Sequence, residues 1–184
     1  MDATAGLVYV FASNDGSVAC AGGTPCSVVY RLATNFAAGT TGSKVSVGRG
    51  STGATPTPLY VGAFDSAYQN SANATGTLYV CANPQGNATL YQVAISAGVL
   101  GAVNAGPVVS TNHQECSPVT DISNPNASGG STEWVFLGVH NKGTPTACGG
   151  IGCLMNFRDT PWLASWAYSV GESEPCLIDW QNRA

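Results

Sequence analysis

Leu78-Tyr-Val-Cys-Ala-Asn83, Pro84-Gln-Gly-Asn87 and Ala88-Thr-Leu-Tyr-Gln-Val-Ala94 decide the fold. A β-branched and aromatic run, a stretch of turn formers and a second such run spell strand, hairpin tip and strand. The unit occurs about three times. Leu7-Val-Tyr-Val-Phe-Ala-Ser13 passes through a Gly/Cys-rich tip into Ser27-Val-Val-Tyr-Arg-Leu-Ala33. Val135-Phe-Leu-Gly-Val-His140 passes through another such tip into Cys153-Leu-Met-Asn-Phe157. Self-similarity at this scale sets the architecture ahead of any motif, and it fixes which distant residues become neighbours.

Working outward, period-two alternation dominates and no amphipathic helix stands out. The first unit predicts strands over 7–13, 27–33 and 44–48, and the second over 59–64, 77–82, 88–95 and 106–110. The third predicts them over 117–122, 133–140 and 152–158. Residues 49–57 and Asn124-Pro-Asn-Ala-Ser-Gly-Gly130 read as loops. The expectation is an all-β chain of antiparallel sheets over 1–160, with units at about 6–48, 56–110 and 113–159. A tail over 161–184 holds three of the four Trp and no strand pattern; it would cap an open edge or pack against another subunit.

Cys116-Ser-Pro-Val-Thr-Asp121, Val135-Phe-Leu-Gly-Val139 and Gly152-Cys-Leu-Met-Asn-Phe157 resemble exported bacterial β-propeller proteins of unassigned function. The resemblance covers roughly residues 6–160 and carries no Trp-Asp or kelch signature. It implies blade-like sheets of an incomplete propeller, about two and a half to three blades, the first lacking its innermost strand. A closed propeller needs four to eight blades. One chain therefore cannot close a ring, and its end blades would be covered by homo-oligomerisation.

Hydrophobic residues make up 44% of the 184 and charged residues only 9%, the polar surface coming from Ser, Thr, Asn, Gln and 23 Gly. A net charge of −4 argues against a nucleic-acid partner, which needs a basic stripe. No apolar run is long enough to span a bilayer, so no membrane partner is expected. Met1-Asp-Ala-Thr4 leads straight into a strand without a signal peptide. The reading is a chain of extracellular or periplasmic origin whose signal is removed or, preferred, a fragment with an added Met.

There are seven cysteines. Cys20 with Cys26, and Cys148 with Cys153, fall at the same place in two hairpin tips and read as local disulfides. Cys81 and Cys116, on adjacent units, are candidates for a third bridge. Cys176 is left over. Disulfides imply an oxidising compartment.

The chemistry rests on two histidines. His113 precedes the inner strand of the third unit and His140 ends the next one. Antiparallel neighbours put the start of one strand beside the end of the other, so both histidines fall on one rim. Glu115 follows His113 by two residues and faces the same side. His113, His140 and Glu115 form a ligand set for Zn2+ or another divalent metal with a position left open. Such a site lowers the pKa of bound water and polarises an ester or phosphoryl oxygen. The expected activity is a metal-dependent hydrolase acting through metal-bound hydroxide on activated small-molecule esters or phosphoesters, phosphotriesters for example. Glu115 doubles as a catalytic residue, and Lys142, with Asn141, would orient a substrate oxygen. The plainer alternative stands beside it: solvated rim histidines on a non-catalytic structural or ligand-binding module.

Other sites have less support. No G-x-S-x-G elbow or phosphate loop occurs. Nothing joins Cys176 to a histidine. Asp65, Asp121 and Glu133 form no recognisable glycosidase pair, and Asp121 sits at the far end of its strand. Tyr9, Tyr30, Tyr60, Tyr79 and Tyr91 read as strand packing.

Overall fold

The computed structural model of the chain describes residues 2–16, 25–35, 42–52, 57–82, 85–111, 114–126, 131–144, 148, 152–159 and 168–171. Among these the chain is all-β apart from one helical turn. The first antiparallel sheet has three strands in chain order: β1 (Leu7–Ala12), β2 (Cys26–Ala33) and β3 (Ser43–Arg49). The second has four: β4 (Ala63–Phe64), β5 (Gly76–Ala82), β6 (Ala88–Ser96) and β7 (Val99–Ser110). The third also has four, again in chain order: β8 (Thr120–Asn124), β9 (Thr132–Val139), β10 (Cys153–Asp159) and β11 (Tyr168–Gly171). The turn α1 (Ser66–Gln69) links β4 to β5.

Strand β5 explains the stacking. Leu78, Tyr79, Val80, Cys81 and Ala82 are all buried, so this strand is covered on both faces. Alternation sends Leu78, Val80 and Ala82 into one cluster with Leu7, Tyr9, Val29 and Val47 of the first sheet. Tyr79 and Cys81 enter another with Val135, Leu137, Met155 and Phe157 of the third. The middle sheet is thus packed on each face by a neighbouring sheet, and the core is two apolar layers. Among the described residues no sheet closes on itself.

Three local departures from the expected strands have physical causes. The strand expected over 59–64 shrinks to Ala63–Phe64. Asp65 then caps a helical turn by accepting the Tyr68 N–H (2.7 Å), a single turn too short to show periodicity. Strand β7 begins at Val99 rather than near 106, although Gly101-Ala-Val-Asn-Ala-Gly106 has little intrinsic strand preference. Pairing with β6, across several register shifts, holds it. After Asp159, where no strand was expected, Tyr168–Gly171 pairs with β10 as an edge strand.

Side chains tie the sheets together. Tyr68 donates to Asp2 Oδ2 (2.8 Å) and shares a hydrogen bond with Tyr9 (3.0 Å), joining the first sheet to α1. Burial, with the Tyr9 and Asp2 hydrogen bonds, drives the Tyr68 hydroxyl far above its usual range. On the other side Glu133 of β9 accepts the Ser66 N–H on one carboxylate oxygen and the Ser66 hydroxyl on the other (2.9 Å). The disulfide Cys81–Cys116 spans the same two sheets (Cα–Cα 6.0 Å), and Cys148–Cys153 closes a local loop (Cα–Cα 5.5 Å). Cys26 is disulfide-bonded as well. Cys20, expected to be its partner, and Cys176 lie outside the described residues.

Candidate functional site

Glu115 and His140 reach the same place by strand register. Cys116 and Val139 form an antiparallel bridge, and the next pair inward is closed by Ser117 N–H donating to the Gly138 carbonyl (2.7 Å). Ser117 Oγ returns by accepting the Gly138 N–H (2.8 Å). One step outward from Cys116–Val139, this register sets Glu115 across from His140. Cross-strand partners share a face of the sheet.

Both residues line an open groove of about 750 Å3. Its lining comes from three neighbouring segments of the third sheet: 115–118, the end of β9 from Gly138 to His140, and Gly152, Cys153 and Leu154. Tyr60 lines it as well. Val119 N–H donates to the Val61 carbonyl (3.2 Å), which carries the segment before β4 to the groove.

The lip around His140 is held from several directions. Ser110 Oγ donates to the carbonyls of Asn141 (2.7 Å) and Lys142 (3.0 Å), and Thr111 N–H also donates to Lys142 O (3.2 Å). Lys142 takes a left-handed backbone conformation (φ 53°), its N–H held by Asn141 Oδ1 (2.8 Å). Gly152 lets β10 begin against this turn: a Cβ there would lie 2.5 Å from the His140 carbonyl oxygen. Cys116 is pinned to β5 and Cys153 to Cys148, so a disulfide anchors the segment on each side of β9.

Glu115 and His140 are exposed and available to a ligand. Lys142, expected to orient a substrate oxygen, is not among the residues lining the groove. His113 lies outside the described residues. Among the described residues, no three His, Cys, Asp or Glu side chains come together as a metal site. Compared with family models, curated proteins and solved structures, the chain matches none.

The groove's formal charge comes from one carboxylate. No Lys or Arg is among the described residues that line it. Two further acidic groups, Asp121 and Glu133, lie at the seam between the second and third sheets. There burial pushes the Glu133 carboxyl up, and hydrogen bonds from Ser66 N–H, Asp121, the Ser66 hydroxyl and Ser123 outweigh it, holding the group below the usual glutamate range. Asp121 is thus a partner of Glu133 and does not line the groove.

Tyr60 is the lining residue that strand patterning misses. It reads as packing within a strand, yet its segment is irregular and the residue is 40% exposed where it lines the groove. Pro58 and Gly62 flanking it are the signal that the strand breaks there.

Proposed function

We propose that the chain is a divalent-metal-dependent hydrolase of activated esters or phosphoesters, with its site on the lip of the Glu115–His140 groove. His140 and Glu115 supply one imidazole and one carboxylate, and His113, two residues before Glu115 in the sequence, is the third ligand. A zinc or similar ion bound there would lower the pKa of a water and polarise the ester oxygen. The chain's part would be to bring imidazole and carboxylate to one face of the sheet before the ion arrives, through the Cys116–Val139 bridge and the disulfides on either side of it. Prior positioning of this kind lowers the cost of assembling the site. The observation that carries the reading is the shared register of Glu115 and His140 on one groove.

The test is hydrolysis of 4-nitrophenyl acetate and of a neutral aryl phosphotriester by the zinc-loaded chain, before and after chelation. Loss of turnover on chelation and its return with zinc support the reading. Turnover that ignores the chelator and survives His140→Ala overturns it.

A second reading is favoured by the stacking itself: a non-catalytic binding or structural module related to exported bacterial β-propellers. Three meander sheets in chain order, each packed face to face on the next, are what successive blades would look like. Exposed Val10 on the first sheet and Ile122 on the third mark apolar outer surfaces that a second copy would cover. The disulfides accord with an extracellular or periplasmic origin. A protein that purifies without metal and takes none up supports the module.

A further inference from the structure

We infer that the groove contains an aromatic subsite, built by Tyr60 with Leu154 and Pro118, that takes the uncharged aryl group of a small ester and disfavours anionic substrates. Tyr60 lines the groove and is 40% exposed. It is held there by its neighbour Val61, whose carbonyl accepts the Val119 N–H. Pro118 and Leu154 line the same groove from the segments on either side of β9, so a flat ring entering beside Tyr60 finds further apolar lining there. Stacking on tyrosine and removal of apolar area from water both favour an aryl group there. The volume of about 750 Å3 lies within the usual range for small-molecule sites, roughly 300–1,000 Å3.

Charge sets the second half of the preference. Phosphate dianions are held by Arg and Lys clamps or by several backbone N–H groups. No such cation is among the described lining residues, and Glu115 opposes an incoming anion. With an ion bound, Glu115 and the attacking oxygen would offset its charge, again leaving no surplus for a dianion. In the hydrolase the aryl group would be the leaving group: water adds to the acyl or phosphoryl centre, the bond to the aryl oxygen breaks and the aryloxide departs. That last role rests on the hydrolase reading, whereas binding of the ring does not.

The test uses the full chain after chelator treatment and two probes with one ring system: 2-naphthol, which is neutral, and 2-naphthyl phosphate, which is anionic. Saturable binding is measured by equilibrium dialysis for wild type, Tyr60→Ala, Tyr60→Leu, Leu154→Gln and Val99→Ser. Expected is naphthol binding that weakens about tenfold in Tyr60→Ala, less in Tyr60→Leu, about threefold in Leu154→Gln, and stays within about twofold of wild type in Val99→Ser, an exposed position outside the groove. The phosphate should bind at least about tenfold more weakly than naphthol. No saturable naphthol binding, an unchanged affinity in Tyr60→Ala, or tighter binding of the phosphate would overturn the subsite. Naphthol binding without ester hydrolysis would retain the subsite and remove the hydrolase.

Discussion

Cys116 bridges Val139 on the neighbouring strand and is bonded through its sulfur to Cys81 of the middle sheet. The residue before it is Glu115 and the residue after Val139 is His140. One cross-link therefore fixes both the seam between two sheets and the position of the groove's carboxylate.

Removing that cross-link should cost more than removing the local one. Cys81–Cys116 closes a sequence separation of 35 and Cys148–Cys153 one of 5. Chain-entropy reasoning gives about 4 kcal/mol for the longer loop and about 2 kcal/mol for the shorter. The double substitution Cys81→Ser with Cys116→Ser should thus lower the urea midpoint about twice as far as Cys148→Ser with Cys153→Ser. Equal midpoints would place the seam's stability elsewhere.

The hairpin between β6 and β7 offers a stabilising change. Ala97 and Gly98 both have positive φ (48° and 73°), the geometry of a two-residue turn that favours Asn-Gly. Ala97→Asn should stabilise by about 0.5 kcal/mol and raise the melting temperature. Gly98→Ala should destabilise by more than 1 kcal/mol. It strains the backbone and brings a Cβ to 2.8 Å from Leu7 Cδ1.

Acid should weaken the seam between the second and third sheets. Despite the upward push of burial, hydrogen bonds hold Glu133 below the usual glutamate range. Its contribution is therefore fully present above the unfolded value, about 4.3, and is lost as pH falls through the folded value. Glu133→Gln should cost about 1 kcal/mol at pH 7 and flatten the fall in stability below about pH 4.5. Chemical denaturation at pH 7, 5 and 3 measures this. An acid limb as steep as that of wild type would remove Glu133 from it.

The core layer of the third sheet should be sensitive to truncation. Leu137 and Met155 lie opposite each other on β9 and β10 and are fully buried. Leu137→Ala or Met155→Ala should cost about 2–5 kcal/mol. A denaturation midpoint within experimental scatter of wild type would show that this face is not packed.

The strands that can be read from sequence are those where apolar residues alternate or run together: β1, β2, β3, β5, β6, β9 and β10. Val135, Leu137 and Val139 mark a buried face by spacing alone, and Leu78–Ala82 mark a strand buried on both sides. Local pattern fails where long-range pairing supplies the order. Gly101–Gly106 are strand because β6 lies alongside, and Tyr168–Gly171 because β10 does. One turn of helix at Ser66 is too brief for a period, though Asp65 ahead of it is a recognisable cap. At the groove, the nearness of Glu115 and His140 follows from strand order, since Glu115 precedes the residue that bridges the end of β9 and His140 follows it. Tyr60 could not be placed that way, because the hydrogen bond from Val119 that brings it to the groove joins segments 58 residues apart in sequence.

The most direct measurement is isothermal titration of zinc into the full chain after chelator treatment, for wild type, His140→Ala and Glu115→Gln. One ion per chain is expected for wild type, no saturable binding for His140→Ala, and about tenfold or weaker affinity for Glu115→Gln, with metal-free melting temperatures unchanged. Wild type that takes up no zinc, or His140→Ala that binds it as wild type does, would contradict a metal site on this groove.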